Sequence, residues 1–352
     1  MNSSQIAVGG SQSIENSANC EPRTANFIPA WWLPGAHAQT IWGRLARRRL
    51  LPLRREVLRT PDDDDLIVDH LDAPVTNPTL HFVLLHGLEG SSYSVYIHGL
   101  LSVIARYGFA ATVMNFRSCA RDPRRPSRMI MNRRPWLYHS GETGDLDFLI
   151  GTLSARNTPL AAIGVSLGGN ALLKWLGEHP RQRSVIAAAT MSVPYDLAAG
   201  ARYLERGAGP MYVANFFRTM RQKTLSVIER FPEMRSRVDI PRAMRARTFH
   251  DFDNASTAPI HGFRDAEDYY ARSSSLSFLP SISVPTLCIS ANDDPFVPLD
   301  VLARAQRAAS PSIEFRVTTA GGHTGFVAGS APWACRYWAE DLMVRWIVER
   351  GR

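Results

Sequence analysis

The feature that most constrains the fold is a series of short apolar runs, from residue 80 onward, that alternates with stretches of helical spacing. The runs cover residues 80–85, 110–116, 160–165, 184–191, 286–291 and 313–318. Uninterrupted apolar runs of this length predict strands that are buried on both faces. The stretches between them, which carry apolar residues at helical spacing, are residues 95–107, 144–153, 171–178, 299–309 and 333–349. This alternation predicts an α/β protein with a mostly parallel central sheet and helices on both faces.

The third apolar run leads directly into Gly-Val-Ser-Leu-Gly, residues 164–168, which matches the pattern G-x-S-x-G. Small residues two positions before and after Ser166 allow a strand to turn sharply into a helix and present the serine above the sheet edge. Ser166 is therefore a candidate nucleophile. A pattern this short also occurs in glycine-rich turns without chemistry, so the hypothesis needs partners elsewhere in the chain.

Candidate partners follow two later strands. Asp293 and Asp294 come directly after the run at 286–291, and His323 follows the run at 313–318 between glycines. Because parallel strands end at one edge of a sheet, we expect His323 to act there as a base on Ser166, with an aspartate to orient it. The order Ser, Asp, His is that of α/β-hydrolases. Pro295 biases Asp294 toward an extended conformation, which favours Asp294 as the residue that orients His323, although Asp293 remains an alternative.

Nucleophilic attack on an acyl carbon also requires N–H donors for the developing oxyanion. Leu167 is a candidate because it follows the nucleophile at a helix N-terminus, where backbone N–H groups are unpaired. The second candidate is Leu88, in the His-Gly-Leu-Glu-Gly turn after the first buried strand. His86 in the same turn is expected to fix the loop and not to act as a base.

One long segment interrupts the alternation. Residues 197–276 read as helices with many aromatic side chains, between two strands of the sheet. Ligands of open α/β sheets bind at the carboxyl ends of the strands, so the segment is predicted to be a cap, although a plain packing layer fits the same pattern. We expect a disordered tail over residues 1–25 and one α/β domain over residues 26–352, with this cap as an insertion.

Three other segments have weaker signals. Residues 27–42 contain three tryptophans and two prolines and are predicted to be an ordered loop. Residues 54–71 are predicted to form two antiparallel strands joined by a solvated acidic turn at 61–65. Residues 121–134 hold six arginines and two prolines and are predicted to be a surface loop.

Composition narrows the choice of partners and compartment. The formal charge is +8, yet only two of the 40 basic residues are lysines, which indicates a general use of arginine and not a nucleic-acid-binding patch. A weak peripheral membrane contact through the arginine-rich segment and the cap stays open. The four cysteines are far apart, and neither a signal peptide nor an apolar run of bilayer length is present, so we expect a cytoplasmic protein with reduced thiols.

Several motifs together resemble the AB-hydrolase 4 family, which contains the YheT/EMB8-like and ABHD-type α/β-hydrolases. They lie at residues 86–92, 115–118, 138–145, 164–170, 249–253, 262–270, 293–296 and 322–323. The resemblance implies an α/β-hydrolase fold and a Ser/Asp/His charge relay that cleaves carboxylic esters or lipids, without a metal or organic cofactor. Acyl transfer to an alcohol and a non-catalytic ligand-binding scaffold are the alternatives. Ser118 stands where the family usually has glycine, which leaves the shape of the pocket edge open.

Overall fold

The computed structural model describes residues 27–47, 50–73 and 79–350. The tail predicted over residues 1–25 lies outside the described residues. No helix in these three ranges combines the length and the apolar character that spanning a bilayer requires.

The described residues form an eight-stranded sheet in the order β1-β2-β4-β3-β7-β8-β9-β10. The antiparallel pairs are β1 with β2 and β2 with β4, and every other neighbouring pair is parallel. Two short hairpins, β5–β6 and β11–β12, lie outside the sheet. The strands are β1 Arg54–Arg59, β2 Asp65–Leu71, β3 His81–Leu85, β4 Ala110–Met114, β5 Arg121–Asp122, β6 Arg125–Met129, β7 Leu160–Val165, β8 Val185–Met191, β9 Thr286–Ala291, β10 Ile313–Thr318, β11 Val327–Ala328 and β12 Arg336–Tyr337.

Helices cover both faces of the sheet. They are α1 Ala36–Ala46, α2 Val95–Arg106, α3 Gly144–Ser154, α4 Leu167–Glu178, α5 Leu197–Tyr203, α6 Gly209–Arg230, α7 Ile240–Arg245, α8 Phe249–Phe252, α9 Ala258–His261, α10 Ala266–Ser273, α11 Leu299–Ala308 and α12 Trp338–Arg350. Successive residues of a strand point to opposite faces. Accordingly, Val83 and Leu85 of β3 pack with α3 and α4, whereas Phe82 and Leu84 pack with α2 and α12. The predicted α/β fold, with a mostly parallel sheet between helical layers, is confirmed.

The segment between β8 and β9 is helical, as the sequence predicted. It holds α5 to α10, a π-helical turn at Asp253–Thr257 and a 3-10 helix at Ser275–Ser281. Helix α6 is the longest of this segment, with 22 residues. Whether the segment acts as a cap stays a prediction.

Two segments that were predicted to be loops contain regular structure. Residues 36–42 were expected in a loop but belong to α1, which begins after Gly35, whose φ is 84°. The buried Gln39 side chain holds this helix against the domain, since it accepts a hydrogen bond from Val327 N and donates one to Val327 O. The arginine-rich surface loop also contains a short hairpin, β5–β6, although its residues are mostly exposed as expected.

The sequence predicted that the acidic turn at residues 61–65 is solvated, but part of this turn is buried. Asp64 is fully buried, and Arg117 from the end of β4 contacts the turn. The Arg117 guanidinium lies 2.7 Å from Asp62, 3.2 Å from Asp64 and 2.7 Å from Asp145 on α3, where it binds both carboxylate oxygens. One arginine therefore joins the β1–β2 hairpin to the helical layer. Burial acts to lower the pKa of Arg117, yet the hydrogen bonds and charges of Asp145 and Asp62 raise it above its ordinary value.

Replacement of Arg117 should therefore remove the positive charge that Asp62, Asp64 and Asp145 share. We expect Arg117→Met to lower the free energy of unfolding by about 3–5 kcal/mol, because it leaves charge uncompensated in a partly buried place. Chemical denaturation followed by circular dichroism measures this change. Arg59→Met is the matched control, since the half-exposed Arg59 contacts the exposed Asp63 and the partly buried Asp65 of the same turn, and we expect a loss below about 1 kcal/mol. Equal losses in the two variants would contradict the proposed role of Arg117.

Candidate active site

Ser166 lies in the sharp turn between β7 and α4. Its backbone has φ 54° and ψ −119°, a left-handed conformation that is strained for a residue with a Cβ. Glycine is required on both sides of this turn. A Cβ on Gly164 would lie 2.5 Å from the carbonyl oxygen of Gly168, and a Cβ on Gly168 would lie 2.5 Å from that of His86. The sequence pattern thus reflects close backbone packing at the base of α4.

His323 lies in a loop after β10 and reaches Ser166. The Nε2 atom of His323 is 2.9 Å from the Ser166 Oγ. The loop is shaped by Gly322 and Thr324, with φ of 59° and 62°, and the backbone N–H of His323 donates to Thr40 Oγ1 at 2.9 Å. The imidazole also packs against the Phe296 ring, with centroids 4.1 Å apart. Ser166 and Phe296 therefore contact the ring, and Thr40 holds the backbone that carries it.

The two adjacent aspartates after β9 have different partners. Both oxygens of Asp294 lie 3.0 Å from Nδ1 of His323, and Asp294 is buried. The Asp294 carboxylate also accepts a hydrogen bond from Phe296 N at 2.8 Å. Asp293 instead accepts from the backbone N–H of Gly322 at 2.9 Å, and burial raises the pKa of this carboxyl. Asp294 faces the ring of His323, whereas Asp293 holds the loop that carries it.

The partners of His323 define its useful tautomer. A carboxylate only accepts hydrogen bonds, so Nδ1 of His323 carries a hydrogen and donates a hydrogen bond to Asp294. The opposite nitrogen, Nε2, is then free to accept the Ser166 hydroxyl proton. An imidazole oriented in this way is suited to deprotonate a serine at the moment of attack.

The turn at residues 86–90, which we call the oxyanion turn, lies beside Ser166 because β3 and β7 are neighbours in the sheet. A Cβ on Gly87 would lie only 3.2 Å from the Ser166 Cβ. Among the described residues, the N–H groups of Leu88 and Leu167 have no hydrogen-bond partner, whereas those of Gly87, Glu89 and Gly90 are all paired. The two N–H groups that the sequence singled out are thus available to a ligand.

His86 holds the fold together and is not part of the group formed by Ser166, His323 and Asp294. It is fully buried, and burial lowers its pKa to about 4. Its Nε2 accepts a hydrogen bond from Phe116 N at 3.2 Å, and its Nδ1 donates to Gly87 O at 2.8 Å. The ring therefore joins the ends of β3 and β4, in line with the loop-fixing role expected from the sequence.

A cavity of about 1050 Å³ opens onto Ser166 and His323. Leu88 and Leu167 line it from the side of the sheet, and residues of α5, α6 and α8 line it from the helical segment. Most of its lining is apolar, and the side chains from the helical segment include Leu204, Tyr212, Phe216, Met220, Phe249 and Phe252. This volume lies just above the usual range for sites that enclose small molecules, roughly 300–1000 Å³.

Sequence reasoning missed several residues that hold this site. Thr40 supports His323 from α1, Tyr96 OH accepts from Gly87 N at 2.8 Å, and Tyr138 OH accepts from Glu89 N at 2.7 Å. Ser192 Oγ accepts from the backbone N–H of Thr324 at 3.1 Å. The Gly87–Tyr96 contact spans nine residues, and the other three contacts join residues that are distant along the chain. None of them carries a local signal, except that Tyr138 belongs to one of the motifs that the resemblance used.

Comparison with known proteins agrees with this architecture. A family model described as alpha/beta hydrolase fold matches residues 81–330. The chain is 32% identical over 344 residues to YheT, a candidate esterase of Escherichia coli, with 96% of this chain and 97% of that protein covered. It is 28% identical over 362 residues to the mouse phospholipase ABHD3, with 99% of this chain and 85% of that protein covered.

Solved structures give the same fold. An esterase of Pyrococcus furiosus superimposes with a TM-score of 0.50 at 14% identity, with 85% of this chain and 90% of that chain covered. At this identity the likeness bears on the fold alone.

The different contacts of the two aspartates lead to a direct comparison. We expect Asp294→Asn to slow the reaction of Ser166 with a fluorophosphonate probe by about 10⁴-fold, because an amide at this position favours the wrong tautomer of the histidine. Asp293→Asn should slow it less than about tenfold, since the amide oxygen still accepts from Gly322 N. Pseudo-first-order labelling rates measure both changes. A larger effect at Asp293 than at Asp294 would reverse the assignment.

Proposed function

This chain is a carboxylic ester hydrolase that belongs to the α/β-hydrolase family, in the group that contains YheT and the ABHD proteins, and we propose that its substrates are medium- or long-chain acyl esters or lipids. In this proposal, Ser166, His323 and Asp294 carry out the cleavage. The observation that carries the proposal is the chain of contacts from Asp294 through His323 to Ser166 Oγ at the wall of an apolar cavity.

The proposed reaction proceeds through an acyl-enzyme. Ser166 Oγ attacks the ester carbonyl carbon while His323 Nε2 removes its proton, and the resulting oxyanion accepts hydrogen bonds from the N–H groups of Leu88 and Leu167. Collapse of this intermediate expels the alcohol, which takes the proton from His323. Water then attacks the acyl-enzyme with His323 as base again, and the acid leaves as Ser166 regains its proton. Asp294 keeps its negative charge throughout and stabilises the imidazolium.

The cavity supports a substrate with a long apolar part. Aromatic and aliphatic side chains from the helical segment face the same space as the nucleophile, and burial of each methylene group of a chain contributes about 0.8 kcal/mol. The proposed role of residues 197–276 is therefore a cap that binds the acyl chain. Two relatives are named as an esterase and a phospholipase. The support for a lipid or long-chain ester as the substrate of this chain is the apolar lining of the cavity.

The nucleophile and the chain-length preference are tested together. We expect the purified protein to hydrolyse nitrophenyl esters with kcat/KM rising from the acetyl to the octanoyl or longer acyl group, because longer chains bury more surface in the cavity. Ser166→Ala should lower kcat by about 10⁵-fold or more, as loss of a catalytic serine does. Steady-state kinetics across the series, with Ser166→Ala as control, give both results.

Two outcomes would count against the proposal. A profile that is flat at the level of Ser166→Ala would exclude ester cleavage by this serine. A profile that falls with chain length would keep the nucleophile but exclude the cavity as an acyl site. Addition of ethanol separates hydrolysis from acyl transfer, since transfer would convert the acyl-enzyme into an ethyl ester in place of the free acid.

A further inference from the structure

A buried ion pair lies next to the oxyanion turn and takes no part in the proposed reaction. Lys223 Nζ on α6 donates to Glu89 Oε1 at 2.7 Å, and the side chains are only 2% and 7% exposed. Lys223 is one of only two lysines among 40 basic residues of the chain. Ion pairs this deeply buried cost desolvation and are weak evidence for a role in stability alone.

Glu89 lies at a strained position of the oxyanion turn. Gly90 N donates to Gly87 O at 3.0 Å, so Leu88 and Glu89 are the two central residues of a β-turn. The φ of Glu89 is 56°, a value that glycine or asparagine normally supplies at the second central position of such turns. A glutamate persists there only where its surroundings over-determine the conformation.

Three contacts hold Glu89 in this conformation. The backbone N–H of Glu89 donates to Tyr138 OH at 2.7 Å, and the hydroxyl of Tyr138 donates in turn to Glu89 Oε1 at 2.9 Å. Lys223 supplies the third contact, and its Nζ also lies over the Tyr138 ring, 4.9 Å from the centroid. Burial opposes ionisation of Glu89, yet the charge and hydrogen bond of Lys223 hold its pKa below the usual value.

The other end of the pair belongs to the helix that lines the cavity. On α6, Tyr212, Phe216, Met220 and Lys223 recur at spacings of four, four and three residues, so they lie on one face, and all four line the cavity. The ion pair therefore joins the surface that would bind the acyl chain to the turn that carries the Leu88 N–H.

We propose that Glu89 and Lys223 form a positioning pair that keeps the oxyanion turn in the conformation presenting the Leu88 N–H to the reacting carbonyl, and that fixes α6 to this turn. The inference rests on the proposed function, because it assigns a purpose to the turn in that reaction. Neither side chain touches the reacting atoms in this proposal.

The proposal has a kinetic signature. An oxyanion donor acts on the transition state more than on the bound substrate, so a misplaced donor lowers kcat and leaves KM nearly unchanged. Loss of one donor costs about 10²–10³-fold in kcat. We expect Lys223→Met and Glu89→Gln each to lower kcat for a nitrophenyl ester by about 10–100-fold, since the donor is loosened and not removed, with KM within about threefold.

The second readout does not depend on activity. Hydrogen exchange of the peptide that contains residues 86–92 should be at least about tenfold faster in Lys223→Met, because local opening of the turn exposes the N–H groups of Glu89 and Gly90. Lys174→Met is the matched control: Lys174 is the other lysine of the chain, it is also mostly buried, and it pairs with Glu178 on α4. The control should keep wild-type kcat and exchange in residues 86–92, even if its melting temperature falls.

The outcomes separate the two proposals. Unchanged exchange in the turn, or faster exchange with wild-type kcat, overturns the positioning role. A variant that loses only thermal stability, while the folded protein keeps the wild-type kcat, also overturns the positioning role. If the wild-type protein shows no hydrolysis that depends on Ser166, the proposed function fails, while the exchange experiment still decides whether the pair holds the turn. Should Lys223→Met fail to fold, Glu89→Gln carries both measurements, since its amide keeps the hydrogen bond from Tyr138.

Discussion

The closeness of three backbone segments at the base of α4 is the constraint on which the site depends. Gly164 is the penultimate residue of β7 and packs against the Gly168 carbonyl group, while Gly168, the second residue of α4, packs against the carbonyl oxygen of His86. There is no room for a Cβ at either glycine, so the N-terminus of α4, Ser166 and the turn at residues 86–90 are held within a few ångströms of one another. This arrangement forces a positive φ on Ser166, which strains its backbone, and the hydrogen bonds around the turn offset this strain.

Local patterns in the sequence were sufficient for the fold. Apolar runs identify the buried strands, and glycines mark the turns that expose Ser166 and His323, because both signals depend on a few adjacent residues. The confirmed α/β architecture and the proximity of Ser166, Asp294 and His323 follow from the rule that parallel strands end at one edge. Their catalytic roles, and those of Leu88 and Leu167, stay predictions.

The remaining features could not be read from the sequence, because they depend on pairs of residues that meet only in the folded chain. Lys223 and Glu89 are 134 positions apart, and Thr40 and His323 are 283 positions apart. Nothing near Arg117 indicates that it will bind carboxylates from both a hairpin turn and a helix. The choice between Asp293 and Asp294 was open for a related reason: adjacent carboxylates differ only in the direction that the turn imposes on each, and this direction is a property of the packed loop.

The support of His323 by Thr40 links the geometry of the site to a part of the chain that supplies none of Ser166, Asp294 and His323. Helix α1 precedes the first strand of the sheet, yet its Thr40 hydroxyl accepts from the backbone of the loop that carries the imidazole. A proteolytic cut after α1 would leave the sheet, Ser166 and the whole helical segment covalently intact. The position of Thr40 beside the His323 loop would then depend on non-covalent contacts alone, such as those that Gln39 of α1 makes with Val327.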